Sequence, residues 1–251
     1  MMETLKKILA FVVFAILVAC IYAGGTLALI AKFALAAVIF CGIIYVCWIS
    51  FRSRKEAKEK QREDDKKSKQ RAAHYFSSLH RALGAPYQPF QLSDHDKQYL
   101  EERNYNPEAI YHLVVLYMLH LKASFTMFNV KVKDGSASET AGQYFQSMGL
   151  PTIEVLVKPY YTGDQVIAIV CHECMHHFLQ EKKVRGKTEM ANEKLTDYAC
   201  VYTGFGELLK KGYIKTTATY NGQQIENKVG YISANDIKIA QQCLDDYRNL
   251  S

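Results

Sequence analysis

Residues Cys171-His172-Glu173-Cys174-Met175-His176-His177 lie inside an apolar run from Val166 to Leu179 and contain the pattern His-Glu-x-x-His. On a helix this spacing sets His172 and His176 one turn apart on the same face, with Glu173 beside them. Two imidazoles so placed can share a zinc ion, and the glutamate can reach a water bound to that ion. Five residues alone are a weak pattern. The surroundings add weight, because Val166, Ile167, Ile169, Val170, Phe178 and Leu179 would hold the ligands against a buried surface. Thr162 or Asp164 can cap the start of this helix, and Lys182-Lys183 suits its end.

A further helix is predicted from Thr188-Glu189 to about Lys211, closed by Gly212. It carries Asn192-Glu193-Lys194-Leu195-Thr196-Asp197. Catalytic zinc takes three protein ligands and keeps a position for water. Glu193 can be the third ligand, and Asp197, one turn later on the same face, can hold an imidazole N–H of His172 or His176. Only sixteen residues separate His176 from Glu193, which leaves Asp197 or Glu189 open as the ligand instead. Gly204 and Gly206 inside this helix predict close packing or a kink. Upstream, Thr152-Ile153-Glu154-Val155-Leu156-Val157 alternates and is β-branched, so a strand precedes the motif helix, as docking of an extended peptide requires.

His-Glu-x-x-His followed by Glu-x-x-x-Asp on a second helix resembles the gluzincin metallopeptidases. The run Glu193–Gly204, with Gly212-Tyr213 after it, is similar to membrane-bound peptidases of that group, and the resemblance covers about Pro151–Tyr213. It implies that His172, His176 and Glu193 bind Zn2+, that Glu173 is the general base, and that Asp197 orients a ligand. It also implies that the strand Thr152–Val157, with Ile153, Val155 and Val157, is the edge that pairs with substrate. The activity expected is that of a zinc metallopeptidase, an endopeptidase acting on peptide or protein. Tyr160, Tyr161, His177, Tyr202 and Tyr231 are candidates for the donor to the oxyanion. The competing reading is a membrane-tethered regulatory or interaction module that binds zinc without catalysis. A purely structural zinc site, however, closes with a fourth Cys or His and has no use for a glutamate beside its first ligand.

The net charge of +6 is unevenly spread and is no nucleic-acid signature. Residues 1–51 carry three lysines against one glutamate, residues 52–71 carry ten Lys/Arg against five Asp/Glu, and the remainder is one charge negative. From Ile8 to Phe51 the one charged residue is Lys32. A run of 44 residues is long enough for two spans of about 20 residues each, and Ala23-Gly24-Gly25-Thr26 is the natural place to reverse. A transmembrane hairpin is therefore expected over 1–51, with spans at about 5–22 and 27–50. Lys6 and Lys7 before it, and Arg52, Arg54 and Lys55 after it, predict both ends in the cytosol, with the bilayer as a partner. The alternative is one long span with the domain outside. Residues 52–72 read as a charged helical linker.

The remaining 73–251 read as one domain large enough for a core. Helices are predicted at Leu92–Glu102, capped by Ser93, and at Glu108 to about Lys122, opened by Asn106-Pro107. His112 and His120 on the second are expected to be structural. A hairpin is predicted at Tyr213–Tyr220 and Gln223–Tyr231 around Asn221-Gly222, and a last helix from Ser233–Asp236 to about Arg248. The seven cysteines show no disulfide spacing, and Cys171 and Cys174 read as buried thiols packing the motif helix. The fold class expected is α+β: the membrane hairpin, then a mainly helical zincin-like domain with a small sheet.

Overall fold

The computed structural model describes residues 14, 18, 26–124, 127–134, 141–220 and 222–250. The chain forms two compact units, 1–64 and 65–251, and the boundary falls inside the expected linker. Helix α1, Thr26–Leu83, is 58 residues long and belongs to both.

The expected two-span anchor is overturned. Among the described residues, no helix is long and apolar enough to cross a membrane. The first expected span, about 5–22, lies outside the described residues except for Phe14 and Val18. The second, about 27–50, is not an element of its own but the opening of α1. Nothing at Ser50-Phe51-Arg52 stops the helix, and the Arg, Lys, Glu and Gln that follow are good helix formers, so it propagates straight into the charged stretch. The expected membrane placement, with its cytosolic-facing domain, falls with the hairpin.

The second unit is mostly helical with a small sheet. Helix α2 (Asp94–Glu102) is capped by Ser93, and α3 (Pro107–Leu121) by Asn106 with proline at the first turn. Strands β1 (Asn129–Asp134), β2 (Gly142–Ser147) and β3 (Leu150–Val157) follow. The sheet order is β1-β3-β2, with β1 parallel and β2 antiparallel to β3. A two-residue turn, Met148-Gly149, joins β2 to β3 with both φ angles positive, as a tight hairpin of right twist requires. Strand β3 is thus central, and its backbone is engaged on both sides.

Helix α4 (Gly163–Glu181) runs through the middle of the core. A capping box starts it: the Thr162 hydroxyl accepts from the Gln165 N–H, and the Gln165 side chain accepts from the Thr162 N–H at 2.9 Å. Helix α5 (Glu189–Cys200) opens at the Thr188 cap and passes into a π-helical turn, Val201–Phe205, before α6 (Gly206–Gly212). The predicted helix is thus interrupted by the expected kink, at Gly204, where φ is +96°. The cause is tertiary. The Phe90 N–H donates to the Gly204 carbonyl at 2.9 Å, and a Cβ on residue 204 would lie 2.1 Å from the Gln88 carbonyl. Strands β4 (Thr216–Tyr220) and β5 (Gln223–Asn227) form the predicted hairpin, shorter than expected, and α7 (Ala234–Leu250) ends the chain.

Asp236 fastens α7 to α1. Its carboxylate accepts from the Ser68 hydroxyl and the Arg71 guanidinium, each at 2.6 Å, and from Ser233 at the helix start. Burial works against the charge, but the hydrogen bonds from Ser68, Ser233 and Arg71 outweigh it and hold the carboxyl down to about 2, against an ordinary 3.8. The stabilisation is therefore present above pH 3.8 and is lost as pH falls toward 2. Asp236→Ala should destabilise the fold by about 1–3 kcal/mol at neutral pH. In urea melts the gap between wild type and variant should close steadily below about pH 4.

Candidate metal centre

The His172 and His176 side chains leave α4 on the face that meets α5. Their Nε2 atoms are 3.0 Å apart, and Glu193 Oε2, from α5, lies 2.9 Å from the first and 3.1 Å from the second. These three residues form a group that could hold a metal ion. Tetrahedral ligands at about 2.0–2.1 Å from an ion stand roughly 3.3 Å apart, so the observed spacing is close to what such an ion needs. His172 is buried, and His176 and Glu193 are half-buried.

The outer nitrogens decide which lone pairs face inward. His172 Nδ1 is 2.8 Å from Asp197 Oδ1, an acceptor only, so Nδ1 carries the proton and Nε2 is left basic. His176 Nδ1 is 3.3 Å from the Thr196 hydroxyl, which donates its own proton to the Asn192 carbonyl at 2.9 Å and so accepts from the imidazole. Both rings thereby present Nε2 to Glu193. Thr196 was not among the expected site residues. Its adjacency to Asp197 was visible, but its direction depends on how α5 lies against α4.

Asp197 is wholly buried and stands outside the group of ligand atoms. Besides His172 it accepts from the Tyr213 hydroxyl and from the backbone N–H groups of Tyr231 and Ile232, at 2.9 and 3.0 Å. Glu189 is exposed at the first turn of α5 and also lies outside the group.

The electrostatics are those of a tightly packed acid–imidazole set. Burial opposes the charged form of His172, but Asp197 and Glu193 outweigh it and raise its pKa well above the ordinary range. Burial likewise opposes the Glu193 carboxylate, yet His172 and His176, where protonated as imidazolium, donate to it and hold it down to about 2. Glu173 behaves differently. Burial raises its pKa, against the pull of His172 and His176 and a hydrogen bond from the Tyr144 N–H. Edge strand β2 can come this close because residue 142 is glycine: a Cβ there would lie 2.6 Å from Ile169 Cγ2 and 2.8 Å from Glu173 Oε1.

A cleft of three chambers runs along β2. The first, about 450 Å3, includes Gly142, Tyr160, Tyr161, His172, Glu173 and Tyr231. The second, about 470 Å3, includes Tyr144, Glu173, His176, Glu193 and Tyr231. The third, about 650 Å3, lies beyond His176 and is walled by Tyr144, Phe145 and Gln146. Ile153, Val155 and Val157 do not form its edge, since β3 is central and the outer strand at the site is β2.

Of the five donor candidates, Tyr231 lines both chambers that contain Glu173, and its ring stacks on His172 at 5.5 Å. Tyr160 and Tyr161 line the first chamber only. Tyr202 is buried and donates to the Gly84 carbonyl at 2.6 Å, and His177 turns away to the Tyr144 hydroxyl at 3.1 Å. His112 and His120 meet Asp96 and the Thr203 carbonyl, both at 2.8 Å, as structural histidines do. Cys171 and Cys174 are buried, with Cys171 Sγ 3.8 Å from Cys200 Sγ, and burial pushes both thiols well up.

Alanine at His172, His176 or Glu193 should each reduce bound metal in equilibrium dialysis. Asp197→Ala should weaken metal affinity by about 10–100-fold without removing a ligand. It should also lower the melting temperature, because His172, Tyr213 and two backbone donors lose their acceptor. No family model, curated protein or solved structure matches this chain.

Proposed function

We propose that this chain is a zinc-dependent endopeptidase. The observation that carries the reading is Glu173. It is a buried acid on the same helix as the two imidazoles, outside the ligand group, and it opens onto a cleft. A site built only to hold an ion has no use for it. The cleft continues past Glu173 in both directions, which suits a bond inside a chain rather than at its end.

The residues fit the group. A zinc ion held by His172, His176 and Glu193 would supply Lewis acidity, activating water and polarising a peptide carbonyl. Glu173 accepts the proton of the attacking water and passes it to the leaving amine. The Tyr144 N–H and the packing of Ile169 against Gly142 keep the Glu173 carboxylate in place. The Tyr231 hydroxyl, whose pKa burial raises, stays protonated and donates to the carbonyl oxygen as it gains charge. Asp197 holds the His172 ring in one tautomer throughout. An extended peptide lies along the outer side of β2.

Glu173→Gln should bind metal as wild type does and lose at least about 10²-fold in hydrolysis of casein or a peptide library. A chelator should stop the wild type. Undiminished cleavage by Glu173→Gln would sink the mechanism, and a metal-loaded wild type that cuts nothing would leave a binding module. Tyr231→Phe should lower kcat by about 10²-fold with little change in KM.

A further inference from the structure

The third chamber of the cleft has a charge character that hydrolysis itself does not require. Lys183 and Arg185 both line it, and no Asp or Glu does. The rest of its polar lining is Tyr144, Gln146, Gln180, Asn192 and His176. Among the described residues neither cation has an ion-pair partner. Nearby charges are otherwise engaged or displaced. Lys182 lies over the Phe178 ring at 5.3 Å, Glu181 is 3.5 Å from His177 Nε2, and Glu189 lines the middle chamber, not this one. Arg185 lines the middle chamber as well, together with Glu173, Glu189 and Glu193, so it borders both chambers.

The backbone at Lys183 is a second observation. Helix α4 ends with the Lys183 N–H donating to the Gln180 carbonyl at 3.0 Å and the Val184 N–H to the Leu179 carbonyl at 2.9 Å. This is the helix ending whose left-handed position glycine ordinarily takes. Lysine takes it here at φ +56°. An L side chain is disfavoured in that conformation, so a lysine lines the chamber against a local preference for glycine.

We infer that this chamber recognises an anionic side chain of the substrate, Asp or Glu, through Arg185 and Lys183. The inference rests on the peptidase reading for the identity of the ligand. Its position follows from β2, which runs from the first chamber at Gly142 to the third at Phe145-Gln146. An added strand pairs more often antiparallel than parallel, and an antiparallel peptide enters the third chamber with residues amino-terminal to the cut bond. Strand β2 advances two residues between Tyr144, beside Glu173, and Gln146, so the acid sits about two residues before that bond.

The test is binding, read on the full chain carrying Glu173→Gln and loaded with zinc, so that nothing is cut. Dye-labelled peptides that differ only in Glu, Gln or Lys at one position are compared by fluorescence anisotropy. The Glu peptide should bind about tenfold more tightly than the Gln peptide, as charge-assisted contacts do, with the advantage shrinking in salt. Arg185→Glu should reverse the order in favour of Lys. Lys183→Gly should reduce the preference while raising the melting temperature, since glycine relieves the left-handed backbone; this separates lost recognition from lost folding. Equal affinity for all three peptides, or an order unchanged by Arg185→Glu, overturns the inference. Cleavage-site mapping on the wild type should place the acid on the amino side, and an acid found only on the carboxyl side overturns it too. Should the wild type cut no peptide, the hydrolytic reading fails, while the binding series still decides the chamber.

Discussion

A carboxylate withdrawn completely from water is tolerable only if its oxygens are saturated with donors. Asp197 is such a group, and its donors come from three separate stretches. His172 belongs to α4, Tyr213 follows α6, and the Tyr231 and Ile232 N–H groups lie between β5 and α7. Satisfying Asp197 therefore requires the motif helix, the second helix and the carboxy-terminal loop to be in register together. The same contact fixes the tautomer of His172 and lays Tyr231 against it. The contacts that hold together the last third of the chain are thus the ones that shape the site.

The opposite wall is held by a different device. Strand β2 crosses α4 at Gly142, where any side chain would collide with Ile169 and Glu173, and two residues further on the Tyr144 backbone N–H donates to Glu173. The acid is thus positioned by backbone rather than by a flexible partner. It is also kept apart from Glu193, which both imidazoles contact directly. Two glutamates twenty residues apart meet opposite fates: burial raises the proton affinity of one, and paired imidazoles lower that of the other.

Much of the local structure was legible in the residues because its causes are local. Caps at Ser93, Asn106, Thr162 and Thr188 each stand where a short polar side chain can bond the third N–H of a helix. The pairing of β4 with β5 and the ends of α4 follow the same logic, although Asn221 of the expected Asn-Gly turn lies outside the described residues. The strands β1 and β2 are absent from the expected elements: Asn129–Asp134 alternates, with Val130 and Val132 each followed by a lysine, but is only six residues long, and Gly142–Ser147 is short and mixed in polarity. The edge assigned to Ile153, Val155 and Val157 went to β2 for a related reason: a strand's place in a sheet depends on its neighbours. The break at Gly204 needed the segment at Gln88–Phe90 to press on it. The membrane hairpin read hydrophobicity as an element boundary, whereas the chain continues one helix from Thr26 to Leu83.

Residue spacing alone put His172, Glu173 and His176 on one helix and Glu193 and Asp197 on another, because a helix repeats every 3.6 residues whatever surrounds it. The packing of α4 against α5 decided the rest. Glu193 reaches both Nε2 atoms while Asp197, one turn on, reaches only the outer nitrogen of His172. Thr196, Tyr231 and the cations at 183 and 185 enter through contacts between segments far apart in the chain. Periodicity carries no record of those distances, and only burial in a common core sets them.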